Sequence, residues 1–115
     1  MEKRELLAGL VLELRRGTIV LCVLSQLKVP MYGYHLIHTL QQSGIVVEAN
    51  TLYPLLRRLE SQGLLRSTWE TTGSKPIKYY STTEEGNAVF SALKNQWNQT
   101  VQGVNRLLKE EPHDE

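Results

Sequence analysis

Among 115 residues there is a single cysteine, so no disulfide can form within the chain. Cys22 lies in the apolar run Ile19-Val-Leu-Cys-Val-Leu24. A thiol with such neighbours reads as core and suits a reducing compartment. No apolar run nears the ~18 residues that cross a membrane. The N-terminus does not read as a signal peptide, because Glu5 precedes a short apolar stretch that soon meets Glu13, Arg15 and Arg16. A cytoplasmic protein is expected. No nucleophile–base–orienter set and no phosphate-cradling glycine loop is visible, which argues against an enzyme. His35 and His38 are spaced i, i+3, but no third ligand has suitable spacing and His113 sits in the tail. Neither a metal nor another cofactor is expected.

A strong charge of one sign is also missing: the net charge is +1. The distribution is uneven, however. Residues 1–82 carry 10 Lys/Arg against 6 Asp/Glu, and residues 83–115 carry 3 against 6. The basic part could face a polyanion while the acidic part faces away. With 41% hydrophobic and 22% charged residues, the chain does not have the composition of a disordered protein. Its length suits one domain with a modest core.

What is present centres on Asn50-Thr-Leu-Tyr-Pro-Leu-Leu-Arg-Arg-Leu-Glu-Ser-Gln-Gly63. At about 100° per residue, Leu52, Leu55, Leu56 and Leu59 fall on one side. Asn50, Pro54, Arg57 and Ser61 fall opposite, with Tyr53 and Arg58 on the flanks. The spacing predicts a helix that begins at Asn50 as N-cap and ends near Gln62, with Gly63 as the C′ residue. Pro54 is tolerable only near the helix start. An ordinary amphipathic helix with a solvated face shows the same pattern, so the rest of the chain must decide.

Upstream, Leu6, Leu7, Leu10, Val11 and Leu14 recur at helical spacing over residues 4–15. A helix this short is marginal alone in water and must pack on something. After Arg15-Arg16-Gly17, Thr18 can cap a second helix whose buried face includes Ile19, Val20, Val23, Leu24 and Leu27. Val29-Pro30 ends it. Met31-Tyr-Gly-Tyr34 opens a third helix to about Gln42, with Leu36, Ile37 and Leu40 inward. Two helices joined through Ser43–Glu48 make a helix-turn-helix, whose second helix is the reader.

After Gly63 the period becomes two. Leu65, Ser67 and Trp69 alternate with Arg66, Thr68 and Glu70, Thr71–Pro76 is a polar turn, and Ile77–Ser81 is a second strand. A hairpin behind a reader helix is a wing. Thr82-Thr-Glu-Glu85 predicts a capping box in which Thr82 caps and Glu85 bonds back. The helix that follows, residues 83–109, repeats Phe90, Leu93, Trp97, Val101, Val104 and Leu108 at steps of three and four, a heptad-like seam. The expected class is mainly α with a small β-hairpin. Residues 1–82 form the winged helix-turn-helix with its N-terminal helix, 83–109 a dimerisation helix, and 110–115 a frayed acidic tail.

Leu14-Arg-Arg-Gly-Thr18, Tyr32-Gly-Tyr34, Thr51-Leu-Tyr-Pro-Leu-Leu-Arg-Arg-Leu-Glu60, Gly63-Leu-Leu65 and Lys78-Tyr-Tyr80 together resemble the PadR family of bacterial transcriptional regulators, over about residues 14–109. The single C-terminal helix is similar to the short subgroup of that family. The resemblance implies a homodimeric winged-helix repressor that releases DNA when a small molecule or other signal acts. The wing departs from the family's Gly-Arg-x-Arg-Lys-Tyr-Tyr pattern, since this chain has Ser74-Lys-Pro-Ile-Lys-Tyr-Tyr80. Thr82 stands where the family usually has leucine.

With the wing and this resemblance beside it, the solvated-face alternative for the Asn50 helix gives way to double-stranded DNA as partner. Arg57, with Asn50, Thr51, Tyr53 and Pro54, is expected at the major groove, and Arg58 on the flank is expected to touch DNA as well, since arginine forks suit guanine edges and phosphates. Tyr53 either touches phosphate or packs on the wing. Tyr34 either packs or reaches a phosphate, and Gly33 permits close helix approach. Lys75 and Lys78 are expected near phosphates. Leu7, Leu10, Val11 and Leu14, with Leu93, Trp97, Val101, Val104 and Leu108, are expected to build the homodimer. Trp97 either packs there plainly or stacks, with its symmetry mate, on a small planar aromatic effector. The rival from another class is a winged-helix module that binds protein and not DNA.

Overall fold

A computed structural model describes residues 2–109. The chain forms α1 (Lys3–Arg16), α2 (Ile19–Gln26), α3 (Gly33–Gln42), α4 (Ala49–Ser61), β1 (Leu65–Glu70), β2 (Ile77–Thr82) and α5 (Glu84–Lys109). This is the mainly helical class with one hairpin that the periodicities predict. The expected acidic tail, 110–115, lies outside the described residues.

The core is built from one inward stripe per element. Val23, Leu24 and Leu27 from α2, Leu36 and Leu40 from α3, and Leu52, Leu56 and Leu59 from α4 are all buried. Each such side chain contributes about 1.5–3 kcal/mol relative to exposure. Val47 before α4, Leu65 of β1, Tyr80 of β2 and Phe90 of α5 close the cluster. Thr18 occupies the N-cap position of α2, but its side chain does not cap. Its hydroxyl instead donates to the Arg15 carbonyl at 2.8 Å, which ties α2 to the end of α1.

The helix-turn-helix bend needs one left-handed residue. Gly44, with φ +84°, supplies it at no steric cost. The Ser43, Gly44 and Ile45 amides close the turn onto the Leu40 and Gln41 carbonyls. At the far end of α4, Gly63 at φ +81° turns the chain into the wing, as expected for a C′ glycine.

β1 and β2 pair antiparallel from Leu65 opposite Thr82 to Glu70 opposite Ile77. A single residue adds a third strand position beside β2. Met31 exchanges two backbone hydrogen bonds with Tyr80, at 3.0 and 2.9 Å, and the Thr82 amide donates to the Leu27 carbonyl at 2.8 Å. The base of the wing is therefore sewn to the α2–α3 connection. This also moves the cap of α5. Thr82 is held in the strand, so Thr83 caps instead. Its hydroxyl accepts from the Gly86 amide at 2.9 Å and donates to the Gly63 carbonyl at 2.6 Å.

The two terminal helices reach beyond the core. No α1 residue is buried, and the molecule measures 69 × 36 × 23 Å with a radius of gyration of 17.7 Å. A compact chain of this length has about 13 Å. The difference is the projecting helices, α1 and the outer half of α5.

Candidate nucleic-acid interface

The outward face of α4 is polar and open. Asn50, Thr51, Pro54, Arg57, Arg58 and Ser61 are exposed, whereas Tyr53 is half-buried on the flank. Two details differ from expectation. Glu48, not Asn50, is the N-cap residue, extended at φ −84°, ψ 154° and without a side-chain cap. Its carbonyl accepts from the Thr51 and Leu52 amides. Burial of Val47, 4% exposed, sets where the backbone turns and overrides the local preference of Asn50. The Asn50 side chain is thereby released from capping and left on the open face. Pro54 lies inside the helix. Proline has no N–H to return to the carbonyl four residues back, so the Asn50 carbonyl keeps a free acceptor on the same face.

One flank of α4 is aromatic. A Cβ on Gly33 would meet the Tyr53 ring and hydroxyl, so the glycine lets α3 and α4 cross closely. Tyr34, 67% exposed, meets the edge of Tyr53 at 6.1 Å between ring centroids. Tyr32 does the same with Tyr79 at 5.7 Å. Burial, with Tyr34 and Tyr80 nearby, pushes the Tyr53 phenol above its ordinary range. It remains a neutral hydroxyl at physiological pH and can donate to a phosphate.

The other flank is basic. Arg16, at the end of α1, lines a shallow groove with Ile19, Thr51, Pro54 and Arg58. Periodicity assigns Arg16 no contact. The Arg15-Arg16 doublet before Gly17 was the available signal, but only the fold brings it beside α4.

The wing carries its two lysines differently. Lys75 is exposed in the turn between β1 and β2. That turn is braced by Glu70, whose carboxylate accepts from the Thr72 hydroxyl at 2.8 Å and the Thr72 amide at 3.2 Å. These bonds lower the Glu70 pKa, the hydroxyl bond most. Lys78 is half-buried, and its Nζ lies 3.7 Å from Glu60 Oε1. It also lies 5.1 Å from the Tyr80 ring centroid and 5.8 Å from that of Trp69.

Two further apolar faces are open, one on α1 and one on α5. On α1, Leu7, Leu10 and Leu14 are exposed and Val11 is partly covered. On α5, Leu93 packs against the core and Val101 is half-buried. Trp97, Val104 and Leu108 are 43%, 45% and 75% exposed, so cover thins towards the end of the helix. A groove of about 670 Å³ runs between α1 and the approach to α4, lined among others by Leu7, Val11, Leu12, Ile45 and Val46. Cys22 is half-buried, and burial raises its thiol pKa despite a bond with Thr18. His35 and His38 are both exposed. Among the described residues, no three of His, Cys, Asp and Glu come together, and no helix is long and apolar enough to cross a membrane.

The model of the transcriptional regulator PadR-like family matches residues 20–92. The chain is similar to the crystal structure of a PadR family transcriptional regulator from Eggerthella lenta DSM 2243, at 55% identity and a TM-score of 0.88, over 94% of this chain and 96% of that one. It is similar to a PadR-like transcriptional regulator from Bacillus cereus strain ATCC 14579, at 28% identity and TM-score 0.78, over 86% and 99%. A transcriptional regulator from Clostridium thermocellum matches at 27% identity and TM-score 0.78, over 84% and 99%. No curated protein shows a significant match.

Proposed function

The chain belongs to the PadR-like family of DNA-binding transcriptional regulators, and on that premise we propose that it is a repressor that binds palindromic operators as a homodimer. One observation carries the reading: the exposed face of α4 presents Asn50, Thr51, Arg57 and Arg58 together, beside a wing whose tip holds Lys75. Arg57, near the centre of that face, is the base-reading residue. Arg58, Arg16, Tyr34 and the Tyr53 hydroxyl grip phosphates along its flanks, and Lys75 does so from the wing.

The open apolar faces support the dimer. Leu7, Leu10 and Leu14 on α1, and Trp97, Val104 and Leu108 on α5, are large apolar side chains left to water in one chain, and exposed apolar faces of this kind mark association sites. A second copy related by a two-fold axis covers them and sets two α4 helices on one duplex. Residues 1–82 then act as the DNA-binding part and 83–109 as the dimerisation helix. Trp97 lies on the seam but is not sealed by it, which suits a slot beside the axis for a planar aromatic effector. An effector there changes the spacing of the two readers and so releases DNA. The protein acts in the cytoplasm.

The test is transcription in vitro. Duplexes that bind are selected from a random pool, and the selected site is placed across a promoter. Added protein should lower transcript yield, and a planar aromatic ligand should restore it. A rise in transcript on adding protein contradicts repression.

A further inference from the structure

The wing is held at two levels. Its base is buried: Leu65 and Tyr80 are in the core, and Met31 and Leu27 bond the backbone of β2. Its outer half, Trp69–Glu70 opposite Ile77–Lys78 and the turn beyond, is exposed apart from Lys78. One side chain of α4 reaches that half. Glu60, in the last turn of α4, accepts from the Ser67 hydroxyl on β1 at 2.5 Å through Oε2, and pairs with Lys78 on β2 at 3.7 Å through Oε1. Each carboxylate oxygen therefore holds one strand. It is the only ion pair among the described residues.

We propose that Glu60 is a positioning residue for DNA binding: it fixes the angle between the reading helix and the wing, and it keeps Lys78 away from phosphate so that Lys75 makes the wing's backbone contact. The proposal rests on the DNA-binding reading of α4. Lys78 has three attractive neighbours on the protein, the Glu60 carboxylate and the Trp69 and Tyr80 ring faces. Leaving them for a phosphate strands the Glu60 charge beside a polyanion, which is unfavourable. Lys75 has no such restraint, since it sits exposed on the turn. The carboxylate is placed three residues after Arg57, so the same helix that presents the base-reading arginine also sets the height of the wing tip. The backbone bonds from Met31 and Leu27 reach only the base of the wing, at Tyr80 and Thr82, and two paired strands beyond such an anchor are at best marginally ordered by themselves. Beyond that base the angle depends on a further contact with the body, and Glu60 supplies one.

Two readouts separate this proposal from the reading it rests on. The first needs no DNA. Hydrogen–deuterium exchange of wing amides in residues 67–70 and 77–79 should speed up several-fold in Glu60→Ala, less in Ser67→Ala and Lys78→Met, with α5 unchanged. Unchanged wing exchange in Glu60→Ala overturns the brace. The second is the slope of log affinity against log salt on a mixed-sequence duplex. Lys78→Met should leave the wild-type slope unaltered. Glu60→Gln, which can still accept from Ser67, should free Lys78 and steepen the slope by roughly 0.9 per protomer. Glu60→Gln combined with Lys78→Met should return it to the wild-type value. A slope that flattens in Lys78→Met alone, or that steepens in Glu60→Gln whether or not Lys78 is present, overturns the assignment of Lys78. A wild-type protein without salt-dependent duplex binding refutes the DNA reading instead, and leaves the exchange result to judge the brace.

Discussion

The phenol of Tyr53 stands where a Cβ on Gly33 would be. α3 and the reading helix are thus keyed to each other by the absence of one carbon. Gly33→Ala should force the ring aside, at about 1–3 kcal/mol of stability, the usual cost of overpacking. In a Tyr53→Ala background the same change should cost far less, because the obstructing atoms are gone. Urea unfolding of the four proteins in this cycle measures the coupling directly. Strictly additive losses would show that Tyr53 is not what Gly33 makes room for.

Arg57→Ala and Lys75→Ala should differ in kind. Loss of a bidentate base contact costs ~1–3 kcal/mol and relaxes sequence choice at one position. Loss of a phosphate contact weakens all duplexes alike and lowers the salt slope by about one unit. Competition binding against single-base operator variants distinguishes the two. An Arg57→Ala protein weakened equally on every sequence makes Arg57 a backbone contact.

Much of this was legible in the residues because local pattern and burial agree. The 3.6-residue spacing of Leu52, Leu56 and Leu59 survives in the fold, since nothing competes for that stripe. The two-fold spacing of Leu65 and Ser67 survives for the same reason. Where local preference and tertiary pairing conflict, pairing wins. Asn50 is a good cap by type, yet Val47 is drawn into the core and starts the helix at Ala49. Thr82 is a good cap by type, yet its strand pairing with Leu65 and its bond to Leu27 leave that role to Thr83. The Met31–Tyr80 rung and the Glu60–Ser67–Lys78 contacts join distant or differently shaped segments, and no periodicity encodes them. From sequence Lys78 is therefore expected near phosphate alongside Lys75, whereas the fold pairs it with Glu60.

Tyr53 also makes a prediction about alkaline pH. Its folded pKa is raised above the ordinary 10.0, first by burial and then by Tyr34 and Tyr80. The folded chain keeps the proton at a pH where the unfolded chain has lost it. The stability tied to this group is therefore complete below pH 10.0 and falls as pH rises through the folded value. Tyr53→Phe should remove that part of the alkaline decline and leave stability at neutral pH without a pH trend from this site. Denaturant midpoints across the range, with phenolate absorbance as the titration signal, check it. An alkaline decline identical in the two proteins contradicts the assignment.

Trp97 should report on ligand entry. The chain has two tryptophans, so Trp69→Phe provides a background in which Trp97 emits alone. Planar aromatic compounds should quench that emission. Trp97→Ala should abolish their binding, measured on protein verified to be dimeric. Equal ligand affinity in Trp97→Ala would remove the slot from the account.

The most direct measurement is a hydroxyl-radical footprint on a selected operator, with the mass of the bound species determined in parallel. One reading helix per chain and an apolar seam open to a second copy predict a dimer protecting two half-sites about one helical turn, roughly 34 Å, apart. The protected sequences should be related by inversion. Protection of a single half-site by an intact dimer, or a free protein that is monomeric at micromolar concentration, would contradict it.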